Sequence, residues 1–506
     1  MANRECGEKK FISPVFLVNR LGRYVGVSTA TGDFYSLTKE THHALKRWDK
    51  KLSHCANYSS RLAAELAALQ KIPPEITRLF PLSLNGRLAE NNKTERLSIT
   101  DLTLNITSEC NLRCIYCWND YGRYSNKSFK KKFKRRKEAS LNNRNMSADI
   151  AYRAIDLLIE MRGSDKDLVV DFYGGEPLMN LDTLIAAVDY CREKQAKQNI
   201  NFHFLLATNG TLLTPSLAQK LLDKRVQIAV SIDGPRFVHD HNRPFADRRG
   251  SYDALVHNLR HMPEGTMKRL VGRVTVTPFF PDMVKLYKSL KNLGFERIEI
   301  FESEDACHKI TPDRESGFFT TDKKLGILRA EYEKLAKLYI NEVISGFLDY
   351  KKTFFNRFFK LMQRLYYHHQ VTGGCPAARV QLAVTADGGI YPCTAFLGIK
   401  EFELGNTAQG LNSNKYKSFI KAVNRRFDNC RDCSLFSLCR TTGSCLNTNY
   451  YFNGDPALAY EKSCQLFREK LALAVACLDI LSEKMPEKLE GIFGFDPAGR
   501  RGNKLY

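Results

Sequence analysis

Between residues 101 and 301 the sequence switches hydrophobic period repeatedly, and this alternation limits the fold more than any other feature. Short β-branched runs at 102–106, 168–172, 202–207, 227–231, 273–277 and 297–301 read as strands. Between them, apolar residues recur at helical spacing over 148–161, 181–198, 216–224, 252–261 and 283–293. Strands joined by helices of this length pair in parallel through right-handed crossovers, which makes the region α/β. Six such units are two short of a closed eight-unit barrel. Before them, 15–18, 24–27 and 34–37 read as short strands around turns at Gly22 and Gly32, followed by helical patterns over 38–48 and 59–71. After them, Leu325, Leu328, Tyr332, Leu335 and Tyr339 share one face of a long helix within 321–370.

Directly after the first strand of the alternation comes Cys110-Asn111-Leu112-Arg113-Cys114-Ile115-Tyr116-Cys117, with three residues between the first two cysteines and two before the last. Three thiolates in one loop, with no fourth nearby, can hold three corners of a cubane iron–sulfur cluster and leave one iron open to a small molecule. An open iron is a reaction site. A zinc knuckle is the competing reading, but zinc sites usually pair Cys-x2-Cys with a second pair downstream.

The spacing, with an aromatic residue just before the last cysteine, resembles the radical SAM enzymes. The resemblance implies a [4Fe–4S] cluster on Cys110, Cys114 and Cys117, whose open iron S-adenosylmethionine chelates before cleavage to a 5′-deoxyadenosyl radical. It also implies an incomplete (β/α)6 barrel, open at its side to large substrates. Further matches sit at later strand ends. Tyr173-Gly174-Gly175-Glu176-Pro177 matches the Gly-Gly-Glu motif that binds the cofactor's amino group, with Glu176 as an acceptor and the glycines permitting close approach. Thr208-Asn209-Gly210 resembles the Thr-Asn-Gly turn, which adds Asn209. Ser231-Ile232-Asp233-Gly234, followed by His239-Asp240 and Arg243, resembles the segment that contacts the cofactor's carboxylate, through Ser231 and Arg243. A guanidinium suits that group because it can bond both oxygens. Tyr116 is expected near the adenine, Asp233 as a turn former, and His239 and Asp240 as local structure.

A second cysteine field runs from Cys375 to Cys464. Its seven cysteines, with Gly388 ahead of Cys393, resemble the SPASM auxiliary-cluster domain. The resemblance assigns Cys430, Cys433, Cys439 and Cys464 to one auxiliary [4Fe–4S] cluster, and Cys375, Cys393 and Cys445 to another. Five residues separate Cys439 from Cys445 where three are usual. A zinc site built on Cys430-x2-Cys433 is the alternative.

Fifteen cysteines without a secretory signal point to a reducing cytoplasm and to metal ligation rather than disulfides. Cys6, Cys55, Cys191, Cys307 and Cys477 lack partners at ligand spacing and read as bystanders. No apolar run approaches membrane-spanning length. The net charge of +22 attracts anionic partners broadly, and Lys127–Lys137 concentrates it in a polar stretch that reads as a solvated insertion or a docking surface for an acidic segment. No ribonucleoprotein motif or zinc-finger spacing supports a nucleic-acid partner.

The expected organisation is a small α+β domain over 1–95, which resembles a peptide-recognition winged helix or else is an extension packed on the main domain, the partial barrel over 100–320, a helical bridge over 321–370, a cysteine-rich cluster domain over 371–470, and a C-terminal helix with a basic tail over 471–506. The expected function is a radical SAM maturase that cross-links a ribosomally made precursor peptide through a carbon–carbon or thioether bond. It would be fed by an electron donor such as flavodoxin or ferredoxin. A sulfatase-type formylglycine-generating enzyme is the alternative. Against it, Cys393 is followed by Thr394 where that group typically carries an aspartate. A non-catalytic iron–sulfur or nucleic-acid-binding scaffold would not need the cofactor motifs.

Overall fold

The computed structural model describes residues 15–28, 34–52, 98–117, 145–303, 322–346, 361–363, 365–366, 375–430, 433, 435–439 and 445–493. The Lys127–Lys137 block, Cys6, Cys55, Cys307 and the expected helix over 59–71 lie outside these residues. Strands β1 (Val15–Arg20), β2 (Arg23–Ser28) and β3 (Phe34–Ser36) form an antiparallel sheet. Helix α1 (Lys39–Leu52) follows, and the Thr38 hydroxyl caps it by accepting from the Thr41 N–H at 3.1 Å.

The alternating region supplies six consecutive parallel strands: β4 (Asp101–Thr107), β5 (Asp167–Gly174), β6 (Asn201–Thr208), β7 (Val226–Ser231), β8 (Val271–Val276) and β9 (Arg297–Glu302). Helices α2 (Ala148–Met161), α3 (Leu181–Lys197), α4 (Pro215–Asp223), α5 (Arg236–Asn242), α6 (Tyr252–Arg260) and α7 (Met283–Asn292) connect them. Then come α8 (Asp322–Ile344), β10 (Gln381–Val384), β11 (Gly389–Tyr391), β12 (Gly405–Asn406), β13 (Gly410–Leu411), α9 (Ser413–Asn429), α10 (Leu446–Asn453) and α11 (Glu461–Lys484).

The six strands do not stand alone. β10 pairs in parallel with β4, setting Gln381 beside Asp101, and β11, β12 and β13 extend the sheet antiparallel. The order is β13-β12-β11-β10-β4-β5-β6-β7-β8-β9, an open sheet with β9 and β13 at its ends. An unpaired β4 edge would leave a row of backbone donors and acceptors without partners, and β10 supplies them. The cysteine-rich region is thus continuous with the main sheet.

The two faces of the parallel strands differ. Leu102, Leu104, Leu168, Val170, Phe172, Phe204, Ile228, Val230, Val274 and Ile300 join one apolar core with helix residues such as Ala151, Ile155, Leu158 and Leu184. The residues between them are mostly polar or small: Asn105, Asp171, Tyr173, Ala207, Ser231, Arg273, Thr275, Glu299. Toward the strand ends Tyr173, Ser231, Arg273 and Thr275 are only half-buried. Strand registry puts Ser231 beside Arg273 and Arg273 beside Glu299, and the last two form an ion pair at 3.2 Å.

The N-terminal sheet docks on the long C-terminal helix. Arg20 pairs with Glu469 at 2.5 Å, Arg23 with Asp479 at 3.6 Å, and Ser36 donates to Asp479. α11 begins ahead of Cys464, ten residues before the expected boundary at 471.

Candidate active site at the strand ends

The cysteine loop leaves the end of β4 and is held from both sides by backbone hydrogen bonds. Gly175 N–H donates to Thr107 O at 2.8 Å and Glu176 N–H to Glu109 O at 2.7 Å. On the other side, Arg113 N–H donates to Pro244 O at 2.7 Å and Ile115 N–H to Asn242 O at 2.9 Å. The glycines are required by this approach. A Cβ on Gly175 would lie 2.0 Å from Glu109 O, and one on Gly174, whose φ is +147°, 2.2 Å from Thr107 O. The close contact visible at this motif is therefore with the cysteine loop itself.

Glu176 is buried, and its carboxylate accepts from the Thr208 hydroxyl at 2.6 Å, Asn209 N–H at 2.7 Å and Leu178 N–H at 3.1 Å. Burial raises its pKa above the ordinary value, and these three donors oppose the shift. Asn209 passes the restraint on. Its Nδ2 donates to Asn111 Oδ1 at 2.8 Å, while Asn111 Nδ2 donates to the Thr211 hydroxyl at 2.8 Å. The ends of β5 and β6 are thus stitched to the cysteine loop. Asn111 had no assigned role in the sequence, because nothing local marks a residue whose partner lies 98 positions away.

Cys110, Cys114 and Cys117 lie within one another's electrostatic reach. Burial pushes the Cys110 thiol up to about 11, with Cys117 adding to the shift. Burial likewise pushes Cys114 up to about 12, where Arg243 is the leading opposing influence. A group of soft sulfur donors in one loop, with a cation behind it, fits an iron–sulfur cluster, whose binding would displace the thiol protons.

Behind the loop lies a buried polar network. Tyr116 donates its hydroxyl proton to Asp233 at 2.5 Å, Arg243 Nε stands 3.1 Å from the same carboxylate, and the guanidinium lies 5.2 Å from the Tyr116 ring centroid. Asp233 also accepts from Asn242 Nδ2 at 3.1 Å and from Thr275 N–H at 3.0 Å. Arg243 NH1 approaches Cys114 Sγ at 4.0 Å. Burial alone would lower the Arg243 pKa, but Asp233, Tyr116 and Cys114 more than offset it, so the group stays cationic. Asp233 is thus more than a turn former: it is the counter-charge at the centre of the network. Asp240 shapes local structure, accepting from Tyr252 N–H at 2.8 Å. Ser231 ends β7 on the polar face beside Arg273.

In the second field, Cys375 precedes β10, Cys393 follows β11 and Cys445 precedes α10. Burial pushes the Cys393 thiol far up, and Cys375 and Cys445 add to the shift as near neighbours. Asn447 of α10 donates to Ala395 O at 2.6 Å, tying the Cys445 and Cys393 segments together. Cys464, in the first turn of α11, is pushed to about 11 by burial, then by Glu461, Cys430 and Cys433. Cys439 closes a short helix, Phe436–Cys439. Cys191 and Cys477 are fully buried in the apolar core.

The model of the radical SAM superfamily matches residues 104–298, and that of an iron–sulfur cluster-binding domain, SPASM, matches 375–434. The chain is a radical SAM enzyme with a SPASM domain. Its superfamily binds S-adenosylmethionine and a [4Fe–4S] cluster, and the SPASM domain binds auxiliary clusters. A cysteine-type anaerobic sulfatase-maturating enzyme of Clostridium novyi is 24% identical over 354 residues, 68% of this chain and 87% of that one. The radical SAM cyclopropyl synthase TigE of Paramaledivibacter caminithermalis is 22% identical over 515 residues, 94% of this chain and 97% of its own. The solved structure of native anSMEcpe with bound AdoMet superposes with a TM-score of 0.60 at 21% identity, covering 76% of this chain and 99% of that one, and so shares the fold. Among the described residues, no helix is long and apolar enough to cross a membrane.

Proposed function

We propose that this radical SAM/SPASM maturase cross-links a ribosomally made precursor peptide, and that carbon–carbon bond formation is the favoured chemistry. The observation that carries the reading is the end-to-end similarity to a cyclopropyl synthase, spanning 94% of this chain, against 68% for the sulfatase-maturating relative. Thr394 after Cys393 supports the same choice.

On this reading Cys110, Cys114 and Cys117 hold the cluster at which S-adenosylmethionine supplies the radical. Gly174, Gly175, Glu176 and Asn209 fix the loop that carries it, and Ser231, Arg243 and Tyr116 border the cofactor. Cys375, Cys393 and Cys445 hold one auxiliary cluster, and Cys430, Cys433, Cys439 and Cys464 the other. The half-buried polar face near Tyr173, Ser231 and Arg273 receives the peptide. A low-potential flavodoxin or ferredoxin supplies electrons, drawn to a chain of net charge +22 by complementary charge.

Co-expression with a candidate precursor, followed by mass spectrometry, tests the function. Loss of a hydrogen pair without a free aldehyde supports cross-linking. A cysteine or serine converted to formylglycine in a sulfatase would replace this reading with the sulfatase-type one.

A further inference from the structure

The buried network behind the cysteine loop does more than its expected cofactor contacts require. Resting on the reading that Cys110, Cys114 and Cys117 hold a cluster, we propose that Arg243, held by Asp233, sets the reduction potential of that cluster through the Cys114 thiolate.

One-electron reduction by a low-potential donor makes and breaks no bond. It places one further negative charge on the irons and their sulfur ligands. Hydrogen bonds to those sulfurs, nearby charge and solvent exclusion are the protein's means of moving such a potential. Arg243 supplies all three conditions. Its NH1 lies 4.0 Å from Cys114 Sγ, it carries a full positive charge, and it is 7% exposed. Coulomb interactions are stronger away from bulk water, so a cation here favours the reduced state more than a surface arginine would.

Asp233 works in the opposite direction. Its carboxylate pairs with Arg243 through Nε while NH1 faces Cys114 Sγ, so the field at Cys114 is that of the cation reduced by that of the anion. Tyr116, Asn242 and Thr275 N–H all donate to that carboxylate and draw its charge away from Arg243. His239 locks the backbone of both partners. Its Nδ1 accepts from Asp233 N–H at 3.3 Å, its Nε2 lies 3.0 Å from Ser251 Oγ, and Ser251 Oγ donates to Arg243 O at 2.5 Å. Because Nδ1 accepts, Nε2 carries the proton. A guanidinium has five N–H donors. Pairing with Asp233 and Cys114 leaves donors for a cofactor carboxylate, so the two roles coexist.

The test is an EPR-monitored redox titration of the full reconstituted chain without S-adenosylmethionine. The relevant signal is assigned as the one that S-adenosylmethionine perturbs. Arg243→Gln should shift its midpoint to more negative potential, with Arg243→Lys between it and the unmodified protein. Asp233→Asn should shift it to more positive potential. Opposite signs are the diagnostic feature, since simple loosening would not move two adjacent variants in opposite directions. An unchanged midpoint in an iron-loaded Arg243→Gln protein, or shifts of the same sign, would overturn the proposal. If either variant loses its iron, Tyr116→Phe decides. It keeps both charges and should shift the midpoint negatively by less than Arg243→Gln, and an unshifted midpoint refutes the coupling. Failure of the underlying reading looks different: the triple alanine variant of Cys110, Cys114 and Cys117 would then retain the S-adenosylmethionine-sensitive signal.

Discussion

Glu176→Gln separates two roles that the Gly-Gly-Glu motif could play. If its carboxylate served only a bound ligand, the ligand-free protein would be indifferent to the change. The structure instead has that carboxylate accept from two backbone N–H groups, Leu178 on one oxygen and Asn209 on the other. Whichever position the glutamine –NH2 takes, it faces one of those N–H groups donor to donor. The Thr208 hydroxyl can turn to accept, but a backbone amide cannot. A buried donor left unsatisfied costs about 1–3 kcal/mol, and the other bonds lose the assistance of the negative charge, worth about 1.5–3 kcal/mol for a bond to an ionised group. These contributions overlap, because the carboxylate is itself expensive to bury. A net local loss of about 2–4 kcal/mol is expected. Hydrogen exchange on the cofactor-free protein reads this directly. Peptides spanning 206–214 and 105–117 should exchange roughly 30- to 1,000-fold faster, at tenfold per 1.4 kcal/mol, with helix α3 unchanged. Native-like protection of both segments in the cofactor-free variant would show that Glu176 does not brace the loop.

Three other outcomes are expected. Three cubane clusters correspond to about twelve irons per chain, so replacing Cys110, Cys114 and Cys117 with alanine should leave about eight, measured after anaerobic reconstitution, whereas Cys191→Ala and Cys477→Ala should leave the full complement. Gly175→Ala should push the loop off Glu109 at about 1–3 kcal/mol of overpacking strain, and iron analysis with EPR should show the first cluster lost while the SPASM signals persist. His239 is held below its ordinary 6.5, at about 4, by burial, so the unfolded chain takes up a proton before the folded one does. Its stabilising contribution is complete above 6.5 and is lost as pH falls toward about 4, reaching about 3 kcal/mol at 1.36 kcal/mol per unit. Thermal unfolding across that range should fall less steeply in His239→Asn, and an identical slope would contradict the assignment.

The parallel strands and their helices were legible because period is a local property. A run such as Leu168-Val169-Val170 and an amphipathic stretch such as Ala148–Met161 declare themselves within a dozen residues, and α2 spans the expected 148–161. Cysteine spacing was legible for the same reason, since one loop carries all three thiols. Sequence order could not show which strands become neighbours or which side chains meet behind the loop. Gln381 and Asp101 lie side by side only because β4 needs a partner at its edge, a demand met 280 residues downstream. Tyr116 and Asp233 stand 117 positions apart, and the acid read as a turn former because its partners arrive from the cysteine loop, the end of helix α5 and strand β8. A buried charge must find its counter-charge and its donors somewhere in the fold. The chain therefore announced its chemistry in one short loop, while tertiary packing decided which charges surround that loop.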